Sequence, residues 1–149
     1  MKNLIQNSNW CCEGKSMPKC FSGSGMTYDN FCICSCRTCS VTIPEDSLMV
    51  ATCLYDPAIQ VCGQRRLVWG CQIRAIEPGC VKLVVEFYDH CDQLLSACEC
   101  DIGQRVTCDF SHQCAHFAIP CGAEKAHLSI QFSGKVTACT IFSPTAYFC

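Results

Sequence analysis

An all-β sandwich or barrel preceded by an extended N-terminal arm is the fold class this sequence predicts. Three observations predict it. Apolar and polar residues alternate with a period of two in several short runs. Gly, Pro, Asp or Asn interrupts the chain at intervals of about 8–12 residues. No stretch of about 10–12 residues carries the 3.6-residue apolar period of an amphipathic helix, and residues 92–97 offer a helical turn at most.

The elements follow in order. Residues 1–30 read as a flexible connector: a polar arm with Cys11, Cys12 and Cys20, then a spacer, Phe21-Ser-Gly-Ser-Gly-Met-Thr-Tyr-Asp-Asn30, whose Gly and Ser residues favour flexibility. Residues 31–149 read as the strand domain. Short strands are expected at 48–55, 96–101, 105–110 and 115–119. Leu67, Trp69, Cys71, Ile73 and Ala75 form one apolar face, alternating with Gln72 and Arg74. Glu77-Pro78-Gly79-Cys80 suits a type II turn. Beyond it Val81, Leu83, Val85 and Phe87 alternate with Lys82, Glu86 and Tyr88, so this pair predicts a hairpin. Leu128, Ile130 and Phe132 alternate with His127, Ser129 and Gln131, and Ser133-Gly134 predicts a second hairpin into residues 136–142.

Composition narrows the function. The chain has 149 residues and a net charge of -2, with nothing to attract nucleic acid or an anionic membrane. No apolar run approaches the roughly 20 residues that span a bilayer, and the first ten residues lack the apolar core of a signal peptide. Cysteine supplies 19 residues, about 13% and above the range that marks a disulfide scaffold. Such scaffolds are usually exported and very small. Here the thiols either bind metal in a reducing cytosol or are made there and oxidised later, after lysis or in a spore-forming mother cell.

The odd count leaves at least one cysteine free, bound to something else or paired with another chain. Cys11 and Cys12 favour the last. Consecutive Cα atoms stand about 3.8 Å apart, short of the roughly 4.4–6.8 Å that disulfides prefer. In an extended arm their side chains point to opposite sides, so each thiol finds its own partner. Cys149, the last residue, adds a further thiol placed for interchain pairing.

Other spacings say less. Cys32, Cys34 and Cys36 share one face of an expected strand, as do Cys98 and Cys100, and residues i and i+2 make poor disulfide partners. Cys36-Arg-Thr-Cys39 has zinc-knuckle spacing, but no second Cys-x2-Cys completes a site. His112, Cys114 and His116 alternate as a possible metal set, and two solvated histidines on a surface strand explain them better. Asp89-His90-Cys91-Asp92 is no catalytic signature, because Cys-His pairs are normally joined by the fold. Gly23-Ser24-Gly25 is too short for a nucleophile elbow. No cofactor, metal or enzymatic activity is implied.

With these residues in view, the chain resembles the subunits of endospore appendages, the Ena-type pili of spore-forming bacteria. The resemblance rests on Asn9-Trp10-Cys11-Cys12, on Asp29-Asn30-Phe31-Cys32 at the start of the first strand, and on the order of elements through Tyr88-Asp89, Ile102-Gly103-Gln104 and Val136-Thr-Ala-Cys139-Thr-Ile. It implies a jelly-roll sandwich of two antiparallel, about four-stranded sheets. It implies a homopolymer whose subunits join by β-augmentation and by disulfides from the N-terminal connector. Cys11 and Cys12 would be the donors, Cys32 and Cys139 the acceptors, and Cys20 and Cys149 further intersubunit thiols. The fibre would be extracellular or on the spore surface, held there by an anchoring protein, without a classical signal peptide. The chain departs from the family in its surplus of cysteines and in the longer segment between Cys12 and Cys32. A Cys-rich spore coat or exosporium lattice is the alternative, and a thiolate-cluster metal-binding protein a third.

Overall fold

The structure, a computed structural model, describes residues 2–14 and 16–149. Ten strands follow in order: β1 (Phe21–Ser24), β2 (Thr27–Ile33), β3 (Cys36–Ile43), β4 (Ala51–Gln60), β5 (Arg66–Arg74), β6 (Cys80–Tyr88), β7 (Leu94–Asp101), β8 (Ser111–Ala118), β9 (Lys125–Ser133) and β10 (Val136–Phe148). One short 3₁₀ turn, Gly103–Arg105, lies between β7 and β8. The strands form two antiparallel five-stranded sheets, ordered β1-β4-β9-β6-β7 and β2-β3-β10-β5-β8. This is the jelly-roll-like β-sandwich.

The alternating residues fill the space between the sheets as their period requires. Leu67, Trp69, Cys71 and Ile73 of β5 are buried, as are Val81, Leu83, Val85 and Phe87 of β6 and Leu128, Ile130 and Phe132 of β9. Burial of each large apolar side chain contributes about 1.5–3 kcal/mol.

The pairing of strands corrects the expectation at two places. β5 and β6 lie in different sheets, and so do β9 and β10. Their connections cross from one sheet to the other, and the two true hairpins are β2–β3 and β6–β7. An inward-facing period of two is the same whether the next strand lies beside or opposite, so the pattern fixed the faces and left the neighbours open. The strand expected at 105–110 is absent. That segment begins with the last residue of the 3₁₀ turn and continues as a loop in which Thr107 accepts from Ala75 N–H at 2.9 Å.

The 21–30 segment is structured rather than a spacer. Phe21–Ser24 pairs with Thr52–Tyr55 of β4, and Thr27–Ile33 pairs with β3. These two strands bring each sheet from the expected four to five. Within the hairpin, Cys34 and Ser35 both take positive φ, 51° and 66°. Two such residues fit the twist of a tight hairpin. Cys34 therefore sits on the turn and shares no strand face with Cys32 and Cys36.

Candidate functional site

The segment before β1 is folded onto the sandwich. Two edges leave room for it: β1 covers only part of β4, and β3 covers only the first part of β10. Leu4 N–H donates to Ala146 of β10 at 2.7 Å, Asp56 N–H of β4 donates to Cys20 at 2.9 Å, and Arg37 N–H donates to Asn9 at 3.0 Å. Ile5, Trp10 and Met17 face inward and are buried. The Trp10 ring meets Phe21 edge-on at 5.4 Å, and Phe21 packs on Tyr55 at 5.2 Å. The Tyr28 hydroxyl donates to the Trp10 carbonyl. Among the described residues, only the Trp10 indole N–H is a buried side-chain polar atom without a partner. An extended arm is thus replaced by a docked one, because three apolar side chains find a gap between the sheets.

Cys11 and Cys12 are left exposed at this dock, and their sulfurs stand 3.5 Å apart on one side. Asn7 explains the departure from opposed thiols. It accepts from Trp10 N–H through its carbonyl at 2.9 Å and from Cys11 N–H through its side chain at 3.2 Å. Asn7 and Trp10 both have positive φ, 56° and 55°, so the chain turns instead of extending. A hydrogen bond and negative charge from Cys11 raise the pKa of Cys12.

The other sequence-derived thiols divide by burial. Cys32 and Cys34 are exposed, and Cys36 is half-buried, which raises its pKa. Cys20 is half-buried, 3.9 Å from the Gln6 side-chain oxygen. Cys149 is exposed, and its N–H donates to Arg66 at 3.2 Å. Cys139 differs. It is fully buried, and burial pushes its thiol up to about 12. The expected acceptor is thus withheld from an incoming thiol in this conformation. It belongs with Cys39, Cys53 and Cys71, all buried and all raised by the same desolvation. A thiol so placed is protonated at neutral pH and a poor nucleophile.

Three exposed thiols escaped the reading of the sequence, Cys62, Cys108 and Cys121, and a fourth, Cys91, was weighed there only as a catalytic neighbour. For Cys62 and Cys121 the signal was present, since Cys62-Gly63 and Cys121-Gly122 each place a cysteine in a turn pair, but nothing local says that the turns meet. No group of three His, Cys, Asp or Glu among the described residues is close enough to hold a metal ion. His112, Cys114 and His116 share β8, where desolvation lowers the pKa of His112. No described helix is long and apolar enough to cross a membrane.

A shallow groove of about 290 Å³ lies on the outer face of β4, β9 and β6, lined by Leu54, Asp56, Glu86, Tyr88, His127 and Ser129. The Tyr88 and His127 rings meet edge-on at 5.3 Å.

No protein-family model and no curated protein sequence matches this chain. Solved structures share its fold. It is similar to the enzymatically active domain of bacteriophage CBA120 tailspike protein 4, with a TM-score of 0.72 and 14% identity over 99% of this chain. The chain spans 21% of that tailspike chain's length. It is similar to TmCBM61, solved with β-1,4-galactotriose, with a TM-score of 0.61 and 11% identity over 100% of both chains. It is also similar to the CBM22-1 xylan-binding domain from Paenibacillus barcinonensis, with a TM-score of 0.53 and 10% identity over 90% of this chain and 88% of that one. At these identities the likeness is one of fold.

Proposed function

We propose that this chain is a structural subunit of a self-assembling fibre of the endospore-appendage kind, cross-linked by disulfides from the Cys11–Cys12 pair. The observation that carries the reading is that pair, exposed and unbonded on a segment whose anchorage is a few side chains and backbone hydrogen bonds. Nine of the 19 cysteines are exposed and spread over the surface, a distribution suited to bonds between copies. The sheets end in edge strands β1 and β7, β2 and β8. β7 exposes Leu94 and Leu95 beside its unpaired backbone, and such an edge is a template for strand addition. Partners are copies of the same chain and an anchor on the spore surface, and no catalytic step is required. The test is electron microscopy with non-reducing gel electrophoresis of air-oxidised protein. Fibres and a detergent-resistant ladder that reductant collapses are expected. Flat lattices would favour the coat reading, and a monomer without interchain disulfides would overturn both.

A second reading, polysaccharide binding, draws on the fold shared with TmCBM61 and the xylan-binding domain and on the groove beside Tyr88 and His127. Titration with galactan and xylan oligosaccharides, read by tyrosine-region absorbance and calorimetry, separates it from the first.

A further inference from the structure

One end of the sandwich gathers four exposed cysteines from four distant parts of the chain. Cys62 lies in the connection from β4 to β5, Cys91 in the β6–β7 turn, Cys121 in the connection from β8 to β9, and Cys149 follows β10. Backbone hydrogen bonds knit these segments together: Val61 N–H to Glu124 at 2.9 Å, Glu124 N–H to Tyr88 at 2.9 Å, Ile119 N–H to Arg65 at 2.9 Å and Cys149 N–H to Arg66 at 3.2 Å.

Each turn presents its cysteine at a central position. Gln64 N–H donates to Val61 at 3.0 Å, and Ala123 N–H donates to Pro120 at 3.2 Å. Between them stand Cys62-Gly63 and Cys121-Gly122, with glycine φ of 79° and 88°. A positive φ at the third residue is what a type II turn demands, and glycine meets it without strain. In the third turn Asp92 N–H donates to Asp89 at 3.1 Å, and the Asp89 side chain accepts from Cys91 N–H at 2.8 Å. Central turn residues project away from the sheets. Cys62 and Cys121 also line a single cleft of about 290 Å³. Nothing in the packing of the sandwich uses these four thiols.

We infer that this end face is the disulfide acceptor for the Cys11–Cys12 pair of a neighbouring copy. The inference rests on the fibre reading and replaces the buried Cys139 as the partner of one prong. Reach permits it. Released from its dock, the chain from Cys12 to Phe21 extends to about 30 Å, about the length of a ten-residue strand such as β4. Chemistry permits it as well. Two thiols lose two protons and two electrons to dissolved dioxygen, forming one S–S bond and hydrogen peroxide, with an exposed thiolate as the nucleophile. Donor and acceptor are different sites, so one copy can give its Cys11–Cys12 pair to a second and receive the pair of a third, as a growing filament requires.

The test mixes equal amounts of unlabelled and 15N-labelled protein, oxidises them in air and maps disulfides without reduction. Mixed-isotope peptides joining Cys11 or Cys12 to Cys62, Cys91, Cys121 or Cys149 are expected. Mixed-isotope links to Cys32 or Cys139 instead would keep the fibre reading and overturn this one, as would an intrachain Cys62–Cys121 bond. Absence of any interchain disulfide would overturn both. The variant C62S/C91S/C121S/C149S provides a second measure. All four side chains are exposed, so its unfolding midpoint should match the parent's, while reductant-sensitive ladders fall at least tenfold. Ladders equal to the parent's would overturn the inference.

Discussion

The sulfurs of Cys11 and Cys12 lie 3.5 Å apart on the exposed side of the docked N-terminal segment. A thiolate at one position disfavours a second at the other, by charge repulsion and by loss of the shared hydrogen bond. Cys11 accordingly raises the pKa of Cys12. In C11S the competing charge is gone and the neutral serine hydroxyl can donate to a Cys12 thiolate, so Cys12 titrates lower and its thiolate fraction at pH 8 rises. Alkylation of Cys12 by iodoacetamide, followed by peptide mass spectrometry, should be roughly two- to fivefold faster in C11S. An unchanged or slower rate would contradict the coupling.

Trp10 anchors that segment with a ring wholly buried and an indole N–H left without a partner. Truncation of a buried aromatic ring costs about 3–5 kcal/mol, whereas exchanging indole for the smaller phenyl ring leaves a modest cavity and removes the unsatisfied donor, which recovers part of about 1–3 kcal/mol. W10A should therefore release the segment, seen as loss of amide protection at Leu4 and Arg37 in hydrogen exchange, with the β5, β6 and β9 amides unaffected. W10F should stay docked with a change in stability within about 1 kcal/mol of the parent. Equal release in both variants would show that the ring is not the anchor.

The four core thiols make stability fall at alkaline pH. Cys39, Cys53, Cys71 and Cys139 have raised pKa values in the folded state because burial disfavours the thiolate. In the unfolded chain each titrates near the ordinary value of about 8.5. Below that pH both states hold the proton and the contribution is fully present. Above it the unfolded chain releases protons that the folded one keeps, so stability declines by up to about 1.4 kcal/mol per pH unit per thiol. The decline continues to about 12 for Cys139. Under reductant, the urea midpoint should hold steady from pH 7 to 8 and drop between pH 9 and 10.5. A flat midpoint would mean that these thiols are not buried.

Leu94 and Leu95 stand exposed at the start of edge strand β7. A lysine on such an edge discourages pairing with another chain. L94K should leave the unfolding midpoint within about 0.5 kcal/mol of the parent. Lateral association, followed by light scattering of reduced protein, should weaken about tenfold or more. Unaltered association would place the lateral contact elsewhere.

Periodicity by itself determined that the chain is all-β and which side chains point inward: Phe87, Ile130 and Phe132 alternate with polar or amphipathic neighbours, and a local pattern suffices because the pleat alternates locally. Peptide spacing alone singled out Cys11 and Cys12, whose adjacent Cα atoms stand closer than a disulfide prefers. The tertiary structure alone decided the rest. β5 and β6 read as a hairpin yet lie in opposite sheets, since a strand's inward face does not name its neighbour. Ile5, Trp10 and Met17 are too widely spaced to form a period, and only the gap between β4 and β10 turns them into an anchor. Cys139 lies in a strand-like run and Cys121 beside a turn glycine, but neither pattern states how far the residue is covered. One is sealed between two sheets and the other stands on a turn, because exposure depends on what the other strands bring to cover each residue.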